Sequence, residues 1–157
     1  MKIRIASTND VETLFAIRTS VIENYQSRAE LAELGITMDS VTQMLGTECR
    51  AWIAEMEGEA VAFAIASSTE HTIFGMFVHP QFENRGLGRA LMQHAEEWLW
   101  EEGCAEIWLL TGNDPTLRAY GFYLHLGWTP VGVETEGPFA GEMKFIKWKT
   151  IDDENQI

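Results

Sequence analysis

Several things are scarce in this sequence, and each shortage excludes a class of protein. There are two cysteines, Cys49 and Cys104, far apart and outside any Cys-x-x-Cys spacing. That is too few for a disulfide scaffold or a structural zinc site, so both are expected to be reduced thiols. No two histidines stand at metal-ligand spacing, and no metal is expected. The four prolines are scattered and no repeat or low-complexity stretch divides the chain, which argues for one continuous fold instead of a string of modules. No apolar run approaches the ~20 residues of a membrane span. Cations are also scarce: 11 Lys and Arg against 24 Asp and Glu give a net charge of -13. Such a field repels phosphate polymers and anionic lipid surfaces, so neither nucleic acid nor membrane is an expected partner. Met1 to Ala6 enters a strand-like pattern at once instead of a signal region, which leads to the expectation of an unprocessed, cytoplasmic protein.

What is present suits a single core. The chain has 157 residues, 46% of them hydrophobic, about what one domain needs. We place that domain over residues 1–151 and an acidic tail over 152–157. Ile3 and Ile5 alternate with Lys2 and Arg4 as a short half-buried strand. The cluster Ser7-Thr8-Asn9-Asp10 offers helix N-caps, and Val11, Leu14, Phe15, Arg18, Val21 and Ile22 follow at helical spacing. Ser27 and Glu30 form a capping box for a brief second helix closed by Gly35, and Val41, Met44 and Leu45 mark a third short helical stretch. Ala51 to Met56 and Ala60 to Ser67 read as strands joined by the turn pair Glu57-Gly58, with a third strand over Thr72 to Val78. From Gly86 the period changes to 3.6, with Leu87, Ala90, Leu91, Ala95, Trp98 and Leu99 on one face and Gly103 at the end. Glu106 to Leu110 is a strand. Asp114 and Pro115 then start a helix over Leu117, Tyr120 and Leu124 to Gly127. Trp128 to Val133 and Met143 to Trp148 form a closing pair of strands. The alternation predicts a mixed α/β domain. Trp98, Trp108, Trp128 and Trp148 are expected in the core, while Trp52 and Trp100 admit either reading. Gly121 inside a helix suggests close approach of another backbone or of a ligand.

The segment Phe77-Val78-His79-Pro80-Gln81-Phe82-Glu83-Asn84-Arg85-Gly86-Leu87-Gly88-Arg89-Ala90-Leu91 carries the most chemistry. A strand turns through glycines into an amphipathic helix whose first N–H groups have no partner. Glycines let a ligand approach them, and the helix dipole adds roughly half a positive charge. Arg85 and Arg89 make the local charge favourable for an anion. The P-loop is excluded because Gly-Lys-Ser/Thr is absent, and the dinucleotide fingerprint because Leu91 stands where its third glycine belongs. On spacing alone, an anion cradle and a plain helix-start turn both remain open.

Val78-x-Pro80 followed by Glu83-x-x-Gly86-x-Gly88 resembles the acetyl-CoA-binding motif of the GNAT superfamily of N-acetyltransferases. Downstream, Ala119, Phe122, Tyr123, Gly127 and Trp128 are similar to that family's Ala-x-x-Phe-Tyr-x-x-x-Gly-Phe/Trp helix, and the element order matches from end to end. The resemblance implies a GNAT fold, a mixed and mostly antiparallel twisted central sheet flanked by helices. It also implies acetyl-CoA as donor and an amine acceptor, whether a small molecule or a peptide or protein amine. The amine attacks the thioester through a tetrahedral oxyanion and the CoA thiolate departs. Residue matching assigns the oxyanion to the Met76 backbone N–H and the pantetheine to Val78, with Phe77, Glu83, Asn84, Arg85, Gly86, Leu87, Gly88, Arg89 and Ala90 along the cofactor. Tyr123 matches the general acid and also lies on the cofactor side; a phenol near pKa 10 is protonated at neutral pH.

Two positions depart from the pattern. Glu83 replaces the usual Gln or Arg, and its carboxylate is expected to point to solvent. Thr116 stands where Asn is frequent, with Asn113 as the nearby substitute. Glu23, Tyr25, Glu55, Glu70, His71 and His79 are all polar groups near the acceptor side, and none is singled out as base. The first two helices and the loop from Asn24 to Gly35 are expected to set acceptor choice, and the resemblance adds the expectation that the closing strands around Trp148 pair across a homodimer. A non-catalytic acyl-CoA sensor is the rival, against which Tyr123 argues.

Overall fold

The computed structural model describes residues 1–150; the acidic tail at 152–157 lies outside them. Among these residues, seven strands form one sheet in the order β1-β2-β3-β4-β5-β7-β6. They are β1 (Lys2–Ile5), β2 (Cys49–Met56), β3 (Glu59–Ser67), β4 (Thr72–Val78), β5 (Glu106–Thr111), β6 (Thr129–Val133) and β7 (Met143–Trp148). Neighbours run antiparallel except β4 and β5. The Glu57-Gly58 turn joins β2 to β3 with positive φ at both residues, 52° and 83°, the backbone that suits the right-handed twist of a tight hairpin.

Five helices cover the two faces: α1 (Val11–Arg18), α2 (Arg28–Glu33), α3 (Met38–Met44), α4 (Leu87–Glu101) and α5 (Arg118–His125). The side-chain alternation of β3 splits its burial between them. Ala62, Ala64 and Ala66 pack with Leu87, Leu91, Met92, Ala95 and Leu99 of α4, while Phe63 and Ile65 pack with Val11, Leu14, Phe15 and Ile17 on the α1 face. Each large side chain so buried contributes about 2 kcal/mol of transfer free energy. Small residues at β2 and β3, with Ala54, Ala62, Ala64 and Ala66 fully buried, let α4 lie close against the sheet.

The capping box at Ser27 forms as the sequence predicts; Ser7, offered by the sequence as an N-cap, closes a second box with Asp10, and a third joins Thr37 to Ser40 at the start of α3. Other expectations are corrected. Helix α1 stops at Arg18 because the Thr19 and Ser20 hydroxyls donate to the carbonyls of Phe15 and Ile17, so Val21 and Ile22 lie beyond it. Helix α5 starts at Arg118 and not at Pro115, since Asp114 accepts from the Thr116 N–H and hydroxyl in a local turn. Leu124, expected on its apolar face, is exposed. So are Ile5 and Trp148, the latter 49% exposed at the sheet's end, where its Nε1–H donates to Glu106. The space around Gly121 is open, so no other backbone approaches it closely. Trp52 settles into the core with its ring edge-on to Trp98, centroids 5.6 Å apart. Among the described residues, no helix is long and apolar enough to cross a membrane, and no three His, Cys, Asp or Glu gather as a metal site.

Candidate active site

The parallel neighbours β4 and β5 are in register at a single pair, Thr72 with Trp108, before they part. The Thr72 hydroxyl pins that point by donating to the Trp108 carbonyl at 2.7 Å. Beyond it, β4 has a partner only in β3, where the register slips one residue between Ile65 and Ala66. The opening continues as a cleft of about 1190 Å³ lined from both faces of the sheet.

Backbone direction along β4 follows from its pairing. The His79 N–H donates to the Val61 carbonyl on β3. Backbone polar groups alternate between the two edges of a strand, so the N–H groups of Val78 and Met76 face the opening. Side chains alternate across the sheet. Met76 and Val78 pack on the α4 side, while Phe77 packs on the α1 side, under the Arg18 guanidinium at 4.3 Å. Phe77 is thus separated from the glycine turn with which the sequence grouped it.

The turn lies beside Met76. Gly86 caps α4 with φ 79°, a left-handed conformation that disfavours a side chain. At Gly88 a Cβ would stand 3.1 Å from the Met76 methyl and 3.2 Å from Phe122, so the absent side chain keeps the cradle open. The first α4 N–H groups are the unpaired donors of that cradle. Ala90 is not among them, because its N–H already donates to the Gly86 carbonyl. Leu87 points into the core. Asn84 and Arg89 line the cleft, whereas Arg85, Ala90 and Asn113 do not; Arg85 stacks over Phe82 at 5.1 Å.

Glu83 does not turn to solvent. Its carboxylate sits 3.1 Å from Arg118 Nη1, and Arg118 Nη2 donates to the Asn84 side chain at 2.8 Å. The Arg118 backbone N–H, at the start of α5, donates to Glu23. Arg118 thereby ties the glycine turn, α5 and the segment after α1 into one rim, a role the sequence did not announce. Thr116 is committed to Asp114 and makes no part of the cleft.

Tyr123 lies on the inner side of α5 beside Phe122, Trp128 and Phe145, and it borders the cleft. Burial alone pushes its phenol above the ordinary tyrosine range, so the hydroxyl stays protonated. Two further cleft residues went unnoticed in the sequence. Arg18 and Glu142 are half-buried and interact across the α1 side of the cleft, where burial lowers the pKa of the guanidinium and raises that of the carboxyl. Arg18 reads in the sequence as one more helical position, and Glu142 carries no signal there. Of the polar groups that the sequence offered as bases, Glu23, Tyr25 and Glu70 line the cleft; Glu55, His71 and His79 do not. His79 instead accepts from the Gln81 N–H at its strand end, and Glu55 pairs with Arg4.

Comparison with known proteins adds to this geometry. A family model described as the acetyltransferase (GNAT) family matches residues 14–128. The ribosomal protein bS18 alanine N-acetyltransferase of Escherichia coli K12 is 41% identical over 54 residues, 33% of this chain and 36% of that relative. The chain thus spans about a third of the length of the curated relatives it matches. Among solved structures, the PaiA N-acetyltransferase of Thermoplasma acidophilum, in complex with coenzyme A, superposes with a TM-score of 0.75 at 15% identity, covering 95% of this chain and all of that one. The E. coli ribosomal-protein-S18-alanine N-acetyltransferase gives 0.67 at 20% identity over 92% of this chain and 91% of that one. At such identities these two likenesses show the fold.

Proposed function

Since the chain belongs to the GNAT acetyltransferase family, we propose that it moves an acetyl group from acetyl-CoA to the amine of an acceptor held on the α1 side of the cleft. The observation that carries this reading is the parting of β4 from β5 after Thr72, beside a glycine turn whose helix-start N–H groups are open. The residues present fit the donor. The cradle at Gly86 and Gly88 suits a pyrophosphate, which main-chain N–H groups would hold while Arg89 adds charge. The free β4 edge suits the amides of an extended pantetheine arm, with the Val78 N–H as one donor.

Acetyl-CoA supplies a thioester carbonyl open to attack by an amine. The Met76 N–H, fixed in a strand and facing the opening, is the donor for the carbonyl oxygen as charge gathers on it. A preorganised donor of this kind is worth about 3 kcal/mol. Tyr123 holds a proton on the α5 side of the same opening and is the group to deliver it to the departing sulfur. The passage between β4 and β5 supports direct attack, since donor and acceptor are served by opposite faces.

The test is release of free CoA thiol from acetyl-CoA across a panel of small amines and N-terminal peptides, alongside calorimetric binding of CoA. Turnover with at least one amine is expected. Tight CoA binding with no turnover on any amine would instead favour a sensor, and absence of CoA binding would overturn the reading altogether.

A further inference from the structure

The end of the cleft on the α1 side carries a grouping outside the donor site proposed above. Arg18, in the last turn of α1, lies over the Phe77 ring, and its Nη2 donates to the Asn24 carbonyl at 3.1 Å and to the Gln26 side chain at 2.8 Å. Its Nη1 is buried without a hydrogen-bond partner. The guanidinium is therefore locked in place by its neighbours and is not free to swing across to Glu142.

Glu142 stands just before β7, whose first residue, Met143, pairs with Thr111 at the end of β5. That register puts Glu142 beside the wide end of the opening between β4 and β5. Its carboxylate is half-buried, feels the Arg18 charge, and yet does not close to an ion pair with it. Its backbone is fixed on both sides, with the carbonyl accepting from the Glu134 N–H and the N–H donating to the Phe139 carbonyl. The other acids lining the cleft, Glu23, Glu30, Glu70 and Glu83, are more exposed or already engaged.

The surrounding wall is apolar. Ile22, Tyr25, Phe74 and Phe139, four of the large hydrophobic side chains that stay exposed, all border this cleft, Ile22 at 83% and Tyr25 at 54% exposure. Exposed apolar side chains gathered at one cleft mark a ligand surface and not chance. A partly desolvated carboxylate beside such a wall calls for a cation, and a primary ammonium meets it with a compact charge and three donors.

We propose that this end of the cleft binds a primary amine carried on an apolar body of about aromatic size, with Glu142 receiving the ammonium and Tyr25 and Phe139 enclosing the body. The inference deepens the transfer reading and rests on it, because the site is an acceptor site only if the donor occupies the other face. A polyamine, with several charges and little apolar surface, fits one carboxylate in an apolar wall less well. A charge-assisted hydrogen bond of this kind corresponds to roughly ten- to hundred-fold in affinity.

The experiment is calorimetric titration of phenethylamine into the full chain saturated with CoA, with spermidine and the uncharged 2-phenylethanol as comparison arms. Saturable one-to-one binding of phenethylamine is expected, with both comparison compounds at least ten-fold weaker. Glu142→Gln should weaken phenethylamine by ten-fold or more while CoA affinity stays within two-fold. Phe139→Ala, with the fold of the variant checked by thermal melting, should weaken it several-fold. The proposal is overturned if phenethylamine does not bind saturably, if 2-phenylethanol or spermidine binds as well, or if a folded Glu142→Gln binds phenethylamine unchanged. Should Glu142→Gln fail to fold, the Phe139→Ala and 2-phenylethanol arms decide. Failure of CoA to bind would count against the transfer reading alone, and the same amine titrations into the free protein would still decide the site.

Discussion

Glu83 and Arg118 form an ion pair 3.1 Å long between the glycine turn and the start of α5. It neutralises the one carboxylate that stands at the turn where a pyrophosphate would be held. The pair is half-exposed, so its worth to folding is at most about 1 kcal/mol. Its effect on an anion is of the same size and opposite sense, since Arg118 is held by Glu83 instead of by the ligand. Glu83→Gln should therefore tighten CoA binding by about two- to five-fold with thermal stability nearly unchanged. Calorimetry on the variant checks this; weaker binding would mean that the Glu83 side chain holds the turn in shape.

Buried charge on the far side of α4 gives a stability prediction. Glu96 is 8% exposed and takes Lys147 Nζ at 2.6 Å and the Trp128 indole N–H at 3.3 Å. Lys147→Met removes the cation and leaves the carboxylate in a poor environment, at a cost of about 2–4 kcal/mol by denaturant unfolding. Adding Glu96→Leu should recover part of the loss and not all of it, because the Trp128 N–H then loses its acceptor. A loss under 1 kcal/mol in the single variant would show that water reaches the pair.

Acid sensitivity should begin at the first helix. The Arg4 guanidinium, with the Ser7 N–H, holds the Asp10 carboxyl at about 2, below its ordinary 3.8. A depressed carboxyl contributes stability that is complete above the unfolded value and is lost as pH falls through the folded one. The stability difference between parent and Asp10→Asn, measured by thermal melting, should thus be steady at neutral pH and shrink between the ordinary value and about 2. A difference that stays constant across that window would remove the linkage.

Tyr123 carries the prediction on chemistry. Tyr123→Phe removes one hydroxyl and little volume, so packing against Trp128 and Phe145 survives. Turnover should fall by about 10²-fold, the lower part of the range for general acids, with the acetyl-CoA KM little changed. An unchanged kcat, with the chemical step shown to be rate-limiting, would take Tyr123 out of the mechanism.

The fold was largely legible because its signals are local. The N-cap at Ser7, the capping box at Ser27, the Glu57-Gly58 turn and the change of period at Gly86 each act within a few residues. The errors came where a local signal met a stronger competitor. Asp114 and Pro115 look like a helix start, but the Asp114 side chain is taken by Thr116. Trp148 alternates correctly for the core, but β7 ends at the edge of what the helices cover. The site was legible as two motifs and not as an arrangement. Nothing in the spacing tells that β4 and β5 part after one pair, that Arg118 reaches Glu83 across 35 positions, or that Arg18 and Glu142, from opposite ends of the chain, border one cleft. Contacts of that kind depend on the assembled sheet.

Gly88 is where the account is most exposed, because its missing side chain leaves the space that the donor needs beside Met76. The decisive measurement is calorimetric titration of acetyl-CoA into the parent and into Gly88→Glu, with the fold of each checked by thermal melting. The account predicts one-to-one binding by the parent and at least a ten-fold loss in the variant, with Met76 and Phe122 displaced at modest cost to stability. A folded Gly88→Glu that binds acetyl-CoA as tightly as the parent would contradict it.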